Sequence, residues 1–225
     1  MQEDLLAREN LLDNSNSQIV EYPDTFPING EKLLKIKNLG ERFAYFNLHF
    51  LDFLKEYHIP SAFVKIHNKN GIKYIKHSRF EFYIKILNLA DKRTSKLFSI
   101  KESEPLNLPV FEVHFGIGKE TLISDSHLIA FNLCSNEDIK IIYRICSKVN
   151  AVLKSYFERR NYHLAEVNCY FGKYENKIFL VDDFTPRSLK IYPFDRSNNF
   201  IDPYRLSSLA EIKHYTENLF NLTRI

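Results

Sequence analysis

From Leu39 to Tyr57, apolar side chains recur at Phe43, Phe46, Phe50, Phe53, Leu54 and Tyr57. This three-and-four spacing predicts a helix with one buried face. His58-Ile59-Pro60 stops it, because proline disfavours helical backbone before it. Ala62 to His67 and Ile72 to His77 then read as two strands around Asn68-Lys69-Asn70-Gly71. Ile19 to Tyr22 is a short strand before them, and Asn29-Gly30 marks a turn. Phe80 to Leu87 alternates, with Phe80, Phe82, Ile84 and Ile86 on one face. Val110 to Phe115 predicts one more strand. Ser135 with Asp138 resembles a capping box for a helix reaching about Arg160, its inner stripe running from Ile139 to Phe157. Asp202-Pro203 offers an N-cap acid and a first-turn proline for a last helix. Mixed helices and hairpins give an α+β chain rich in antiparallel pairing.

The second hairpin, Leu164 to Phe171 and Ile178 to Phe184, carries the candidate chemistry. Ala165, Val167, Cys169 and Phe171 share an apolar face, while Glu166, Asn168 and Tyr170 share a polar one. The polar face either lines a cleft or is the solvated side of an antiparallel sheet. Val181-Asp182-Asp183-Phe184-Thr185-Pro186-Arg187 ends the apolar strand on two acids and enters a turn. Carboxylates there suit a hard cation such as Mg²⁺, with Arg187 and Lys190 in reach of phosphates. The competing reading is a solvated strand end.

Composition narrows the class. With 225 residues and 44% hydrophobic content the chain can bury one sizeable domain or two lobes around a cleft. A net charge of +3, from 31 basic and 28 acidic residues, argues against general nucleic-acid binding. Cys134, Cys146 and Cys169 lack zinc spacing and predict buried thiols in a reducing, cytoplasmic setting. The N-terminus has no secretory apolar stretch, and no run is long enough for a membrane span.

Several segments, in order, resemble the SAICAR synthetase family (phosphoribosylaminoimidazole-succinocarboxamide synthases). Phe26-Pro27-Ile28-Asn29-Gly30-Glu31-Lys32 is similar to its Thr-Ala-Phe-Asn-Gly-x-Lys segment, with Asp24 on the preceding acid. Tyr57 to Val64 resembles the helix end and the Gly-Ile-Pro-Thr-His-Phe strand. Leu122-Ile123-Ser124-Asp125-Ser126-His127 sits on Leu-Ile-Asn-Glu-Asp-His. Ala165 to Gly172 lies over Val-Asp-Phe-Lys-Leu-Glu-Phe-Gly, and Asp182 to Pro186 over Asp-Glu-Ile-Ser-Pro.

The resemblance implies a two-lobed α+β fold with a nucleotide cleft between the lobes: residues 1–84 on the nucleotide side, 85–225 on the substrate and metal side. It also implies a ligase of purine biosynthesis that uses ATP and Mg²⁺ to join the carboxylate of a phosphoribosyl-imidazole to the amine of aspartate. Its partners are small molecules, with neither nucleic acid nor membrane, and a homodimer is the candidate assembly. Carried over residue by residue, Asp182 and His127 are catalytic, and Asp182 with Asp183 holds the metal. Lys32 and Glu166 bind the nucleotide, and Glu81 to Tyr83 passes the adenine. Lys85, Ser124, Asp125, Arg187 and Lys190 hold the other substrates.

The departures are specific. Leu6 to Asn10 lacks the family's Gly-Lys phosphate hairpin. Lys85 to Asp91 replaces Arg-Asn-x-x-x-Gly-Ser, and Asp91 would repel a phosphate. Asn168 and Tyr170 replace a Lys and a Glu, the latter a metal ligand in the family. Arg187 reverses the charge of an Asp. These substitutions leave two functions open: a diverged ATP-dependent ligase, or a catalytically inactive member serving as a binding or assembly module.

Overall fold

The computed structural model describes residues 16–28, 32–116, 121–181, 183–195 and 200–224, with the side chain of Lys32 outside the description. The first long helix, α1 (Leu39–Glu56), forms where the aromatic spacing predicts it. Phe43, Phe46, Phe50 and Leu54 are at most 1% exposed, so this stripe is fully desolvated. Each such side chain contributes roughly 1.5–3 kcal/mol. Asp24 caps the helix from a distance, its carboxylate accepting from Asn38 N at 3.2 Å and Gly40 N at 2.9 Å.

Eleven strands make three sheets among the described residues. β1 (Ser17–Glu21), β5 (Gly71–Ile75) and β4 (Phe63–Asn68) form a small antiparallel sheet in the order β1-β5-β4. β2 (Thr25–Ile28) and β3 (Lys32–Lys35) pair as a hairpin whose turn, containing Asn29-Gly30, lies outside the described residues. The large sheet runs β10-β9-β6-β7-β8, with β6 at Ser78–Leu89, β7 at Pro105–Phe115, β8 at Thr121–Ile123, β9 at Tyr162–Tyr174 and β10 at Lys177–Leu180. β11 (Leu189–Pro193) also pairs with β9. β6 crosses the 84/85 boundary that the resemblance suggests, and one continuous apolar core reaches from Phe26 to Leu222.

The second hairpin forms where predicted, with two differences: its turn tightens to Glu175 and Asn176, both at positive φ, and its second strand ends at Leu180, before the acids, instead of reaching Phe184. Its odd face, Ala165 to Phe171, is wholly buried. Helix α4 (Asn136–Glu158) is capped by Ser135, whose hydroxyl accepts from Asp138 N at 3.0 Å. It lies across that core face.

The C-terminal helix differs from expectation. α5 spans Leu209–Leu222 and is capped by Ser208 with Glu211, six residues beyond Asp202. The Asp202 carboxylate instead accepts from Tyr204 N at 3.0 Å and from the Tyr192 hydroxyl at 2.9 Å, which closes a turn and ties it to β11. Helices α2 (Lys92–Phe98) and α3 (Asp125–Ala130), and strands β8 and β11, are too short to show a periodicity in sequence.

Candidate functional site

Strand β9 builds the site by being longer than either neighbour on its outer edge. β11 pairs with residues 162–167 and β10 with residues 171–174, so the edge is open between them. The connection from β10 to β11 bridges the gap. Val181 N donates to Tyr170 O at 3.0 Å, and Ser188 O accepts from Asn168 N at 2.8 Å. The acid-containing turn is thereby fixed against the polar face of β9.

Internal bonds stiffen this turn. Ser188 Oγ donates to Asp183 O, Thr185 N donates to Ser188 Oγ at 3.2 Å, and Thr185 Oγ1 donates to Asp183 Oδ2 at 3.1 Å. The buried amide of Asn47 on α1 clamps it from below. Its Oδ1 accepts from Phe184 N at 2.8 Å, and its Nδ2 donates to Phe43 O at 3.0 Å.

Cross-strand register places the other side chains in rows, because directly paired residues share a face. Tyr170, Tyr83 and His114 form one row across β9, β6 and β7. The Tyr83 ring stacks on His114 at 5.2 Å and meets Tyr170 at 4.9 Å, with the Arg79 guanidinium over Tyr170 at 4.7 Å. The next row is Asn168, Lys85 and Glu112, and beyond it Lys190 pairs with Glu166. Above these rows opens a cleft of about 520 Å³, reached also by Asp183 and Arg187.

The charges in the cleft are paired. Lys85 Nζ lies 3.2 Å from Glu166 Oε2 and 3.5 Å from Asp91 Oδ2. Burial alone would push Lys85 down, but Glu166 and then Asp91 outweigh it and hold the ammonium above its ordinary value. Burial likewise disfavours the Asp91 carboxylate, yet the hydrogen bond from Thr94 and the charge of Lys85 hold it below its ordinary value. Arg187 Nη2 donates to Asp183 Oδ2 at 2.8 Å. Lys190 Nζ donates to Pro186 O at 2.6 Å, and burial pushes its ammonium down to about 8, opposed by Glu166 and reinforced by Lys85.

Among the described residues, three buried side-chain acceptors lack a hydrogen-bond donor by geometry: Glu166 Oε2, Asn168 Oδ1 and Asp183 Oδ1. The first has the Lys85 ammonium 3.2 Å away as an ion-pair partner, so the oxygens with no partner beside them are Asn168 Oδ1 and Asp183 Oδ1. All three belong to side chains lining the cleft. Buried polar atoms are normally satisfied, so acceptors that line a cleft in this way take their partners from water, from a cation or from a ligand's donors. Among the described residues no three His, Cys, Asp or Glu side chains converge as a metal cluster. Oxygen-only donors in small number nonetheless suit Mg²⁺, which keeps waters and takes phosphate oxygens to complete its shell.

The family model described as SAICAR synthetase matches residues 11–216. The chain belongs to the SAICAR synthetase family. It is 25% identical over 184 residues to the phosphoribosylaminoimidazole-succinocarboxamide synthase of Clostridium kluyveri, covering 80% of this chain and 78% of that one. It is 28% identical over 185 residues to the synthase of the same name from Wigglesworthia glossinidia brevipalpis, covering 80% and 76%. The fold matches the crystal structure of the Ehrlichia chaffeensis synthase at a TM-score of 0.85 and 21% identity, covering 95% and 93% of the chains. It also matches a SAICAR synthetase solved in complex with ADP, at 0.83 and 21% identity over 94% and 92%.

The cleft gathers Tyr83, Lys85, Glu166, Asp183 and Arg187 of the family positions named from sequence. Lys190 stands beside them, opposite Glu166. Asp182 lies outside the described residues, as do the side chain of Lys32 and the N-terminal segment Leu6 to Asn10. Glu81 is exposed, with its carbonyl accepting from Gly116 N at 3.3 Å, and does not line the cleft. Ser124, Asp125 and His127 sit at the start of α3, directly after β8, whose Leu122 pairs with the cleft residue His114, and are not themselves among the lining residues. There His127 Nδ1 accepts from Ser124 N at 3.2 Å, and Asp125 accepts from the Tyr143 hydroxyl. His114, which the sequence alone assigns a structural role, lines the cleft with its Nε2 3.0 Å from Glu112 Oε2, and Arg79, not named from sequence, lines it too. Alternation along β7 puts both Glu112 and His114 on the cleft face, a signal that was available. Arg79 precedes the regular part of β6, where the register with β9 shifts.

No helix among the described residues is long and apolar enough to cross a membrane.

Proposed function

We propose that this chain is an ATP-dependent ligase of the SAICAR synthetase type, joining the carboxylate of a phosphoribosyl-imidazole to the amine of aspartate. The observation that carries this reading is one cleft lined both by Lys85, Arg187 and Arg79 and by the unpartnered oxygens of Asn168 and Asp183. Phosphoryl transfer needs positioned charge more than covalent chemistry from the protein, and this constellation supplies both signs. Arg187 and Arg79 are exposed residues at the cleft, and a guanidinium suits phosphate oxygens. Lys85 stays charged and offers a point charge to a second phosphate. Asp183, with Asp182 beside it in sequence, is suited to Mg²⁺, which when bound neutralises charge between the ATP phosphates. In the reaction, the imidazole carboxylate would attack the γ-phosphorus of ATP with ADP leaving, and the amine of aspartate would attack the resulting acyl phosphate at carbon, forming the amide and releasing inorganic phosphate.

A second reading, a binding module without turnover, draws on the ion pairs. Lys85 and Arg187 already have carboxylate partners, so a phosphate must compete with Glu166, Asp91 and Asp183 for them.

ADP formation, followed with Mg²⁺-ATP, aspartate and the carboxylated aminoimidazole ribotide, tests the proposal. The ligase requires ADP release that depends on all three. Asp183→Asn should lower turnover at least about tenfold, since even indirect partners of a metal are worth that much. Saturable ADP binding with no ADP formation would establish the second reading in its place.

A further inference from the structure

We infer that the divalent cation of this protein is held by Asn168 Oδ1 and Asp183 Oδ1, two residues along β9 from the strand position that carries the metal-binding Glu in the resemblance. The inference rests on the reading of the cleft as a site for phosphates and metal, and it names which side chains of this chain do the holding.

The Glu position is occupied by Tyr170. Its ring is taken up between Tyr83 at 4.9 Å and the Arg79 guanidinium at 4.7 Å, and a phenol in an aromatic row is a poor ligand for a hard cation. Asn168 shares its face and is next along it, about 7 Å away at the rise of a strand. Where the family carries a Lys at this position, a metal beside it would be repelled. An amide removes that charge and offers an oxygen.

Both oxygens are prepared for a ligand. Asn168 is 8% exposed and Asp183 is 7% exposed, and each has an inward oxygen without a donor. Burying an acceptor without a partner costs about 1–3 kcal/mol, which a bound cation would return. Ser188 links the two residues, since its carbonyl accepts from Asn168 N and its side-chain Oγ donates to Asp183 O. Neighbouring cations are drawn aside. Lys85 is engaged by Glu166 and Asp91, and Arg187 takes the other oxygen of Asp183, leaving Oδ1 free for an ion. Two protein oxygens are few, but Mg²⁺ is commonly bound by one or two side chains with water and phosphate completing the octahedron.

Mn²⁺ binding to the full chain, read from the loss of the free-ion paramagnetic resonance signal, tests this without any turnover. One saturable Mn²⁺ per chain, displaced by Mg²⁺, is expected. Asn168→Leu keeps the volume, removes the oxygen and should weaken Mn²⁺ at least about tenfold. Asn168→Asp should tighten it by a similar factor, and this gain of function cannot come from misfolding. Unchanged Mn²⁺ affinity in both variants, or no saturable site in the wild type, overturns the inference. If Mn²⁺ binds as described while the full substrate mixture yields no ADP, the metal site stands and the ligase reading falls.

Discussion

Asn47 is the link between the first helix and the acidic turn, and replacing it by leucine probes that link directly. The side chain is fully buried. Asn47→Leu preserves its approximate volume, so the effect comes from hydrogen bonds and not from a cavity. Of the two bonds lost, the one to Phe43 O matters little, because that carbonyl still accepts the helical bond from its own turn. The other strands the backbone N–H of Phe184, which donates only to Asn47 Oδ1 at 2.8 Å and sits in a residue 1% exposed. An orphaned buried donor costs about 1–3 kcal/mol. For a chain of this size, about 2 kcal/mol lowers the melting temperature by roughly 4–8 °C. Urea unfolding of wild type and variant supplies the free energy, and a thermal scan supplies the midpoint. Asn47→Asp keeps an acceptor for Phe184 N at the expense of a buried charge, and raising its stability by lowering the pH separates the two causes. A difference below about 0.5 kcal/mol for Asn47→Leu would refute the clamp.

Lys190 links stability to alkaline pH. Burial holds its ammonium at about 8, against 10.5 for the ordinary side chain, so the unfolded chain carries more protons between those values and stability rises with pH there. The free-energy difference between wild type and Lys190→Met should therefore shift in favour of wild type from pH 8 to 10, and a flat difference would contradict the burial of the charge. Ser208→Ala removes the N-cap of α5, whose hydroxyl accepts from Glu211 N at 3.2 Å, and should cost about 1 kcal/mol in urea unfolding. An unchanged midpoint would place the start of that helix elsewhere.

The parts of this fold legible from sequence are those whose signal is repeated. The α1 stripe declares itself through six apolar positions, and β9 through four apolar residues alternating with three polar ones. Elements of three to seven residues, such as β8 and α2, carry no such repetition. The start of α5 was misplaced because Asp202-Pro203 has the chemistry of a helix start. What decides against it is tertiary: the Tyr192 hydroxyl, ten residues away on β11, takes the Asp202 carboxylate. In the site, alternation was enough to put Glu166, Asn168 and Tyr170 on one face. It could not show which charges neutralise each other, since Lys85 meets Asp91 and Glu166 only through strand register and the N-terminus of α2.

That pairing changes how the departures from the family are read. Taken singly, Asp91 and Arg187 each place a charge where the family's pattern would forbid it. In the fold they are partnered: Asp91 stands 3.5 Å from Lys85, and Arg187 lies 2.8 Å from Asp183. Decay of an unused site would leave charges buried without partners, at a cost of several kcal/mol each when breaking a buried pair. Here Lys85, Asp91, Asp183 and Arg187 each have an opposite charge within 3.5 Å, and the buried side-chain atoms left without a partner are acceptor oxygens. A surface that had lost its ligand would gain nothing by keeping two orphaned oxygens from Asn168 and Asp183 in one cleft. The arrangement is the expected one for a site that still returns their desolvation cost by binding something positive.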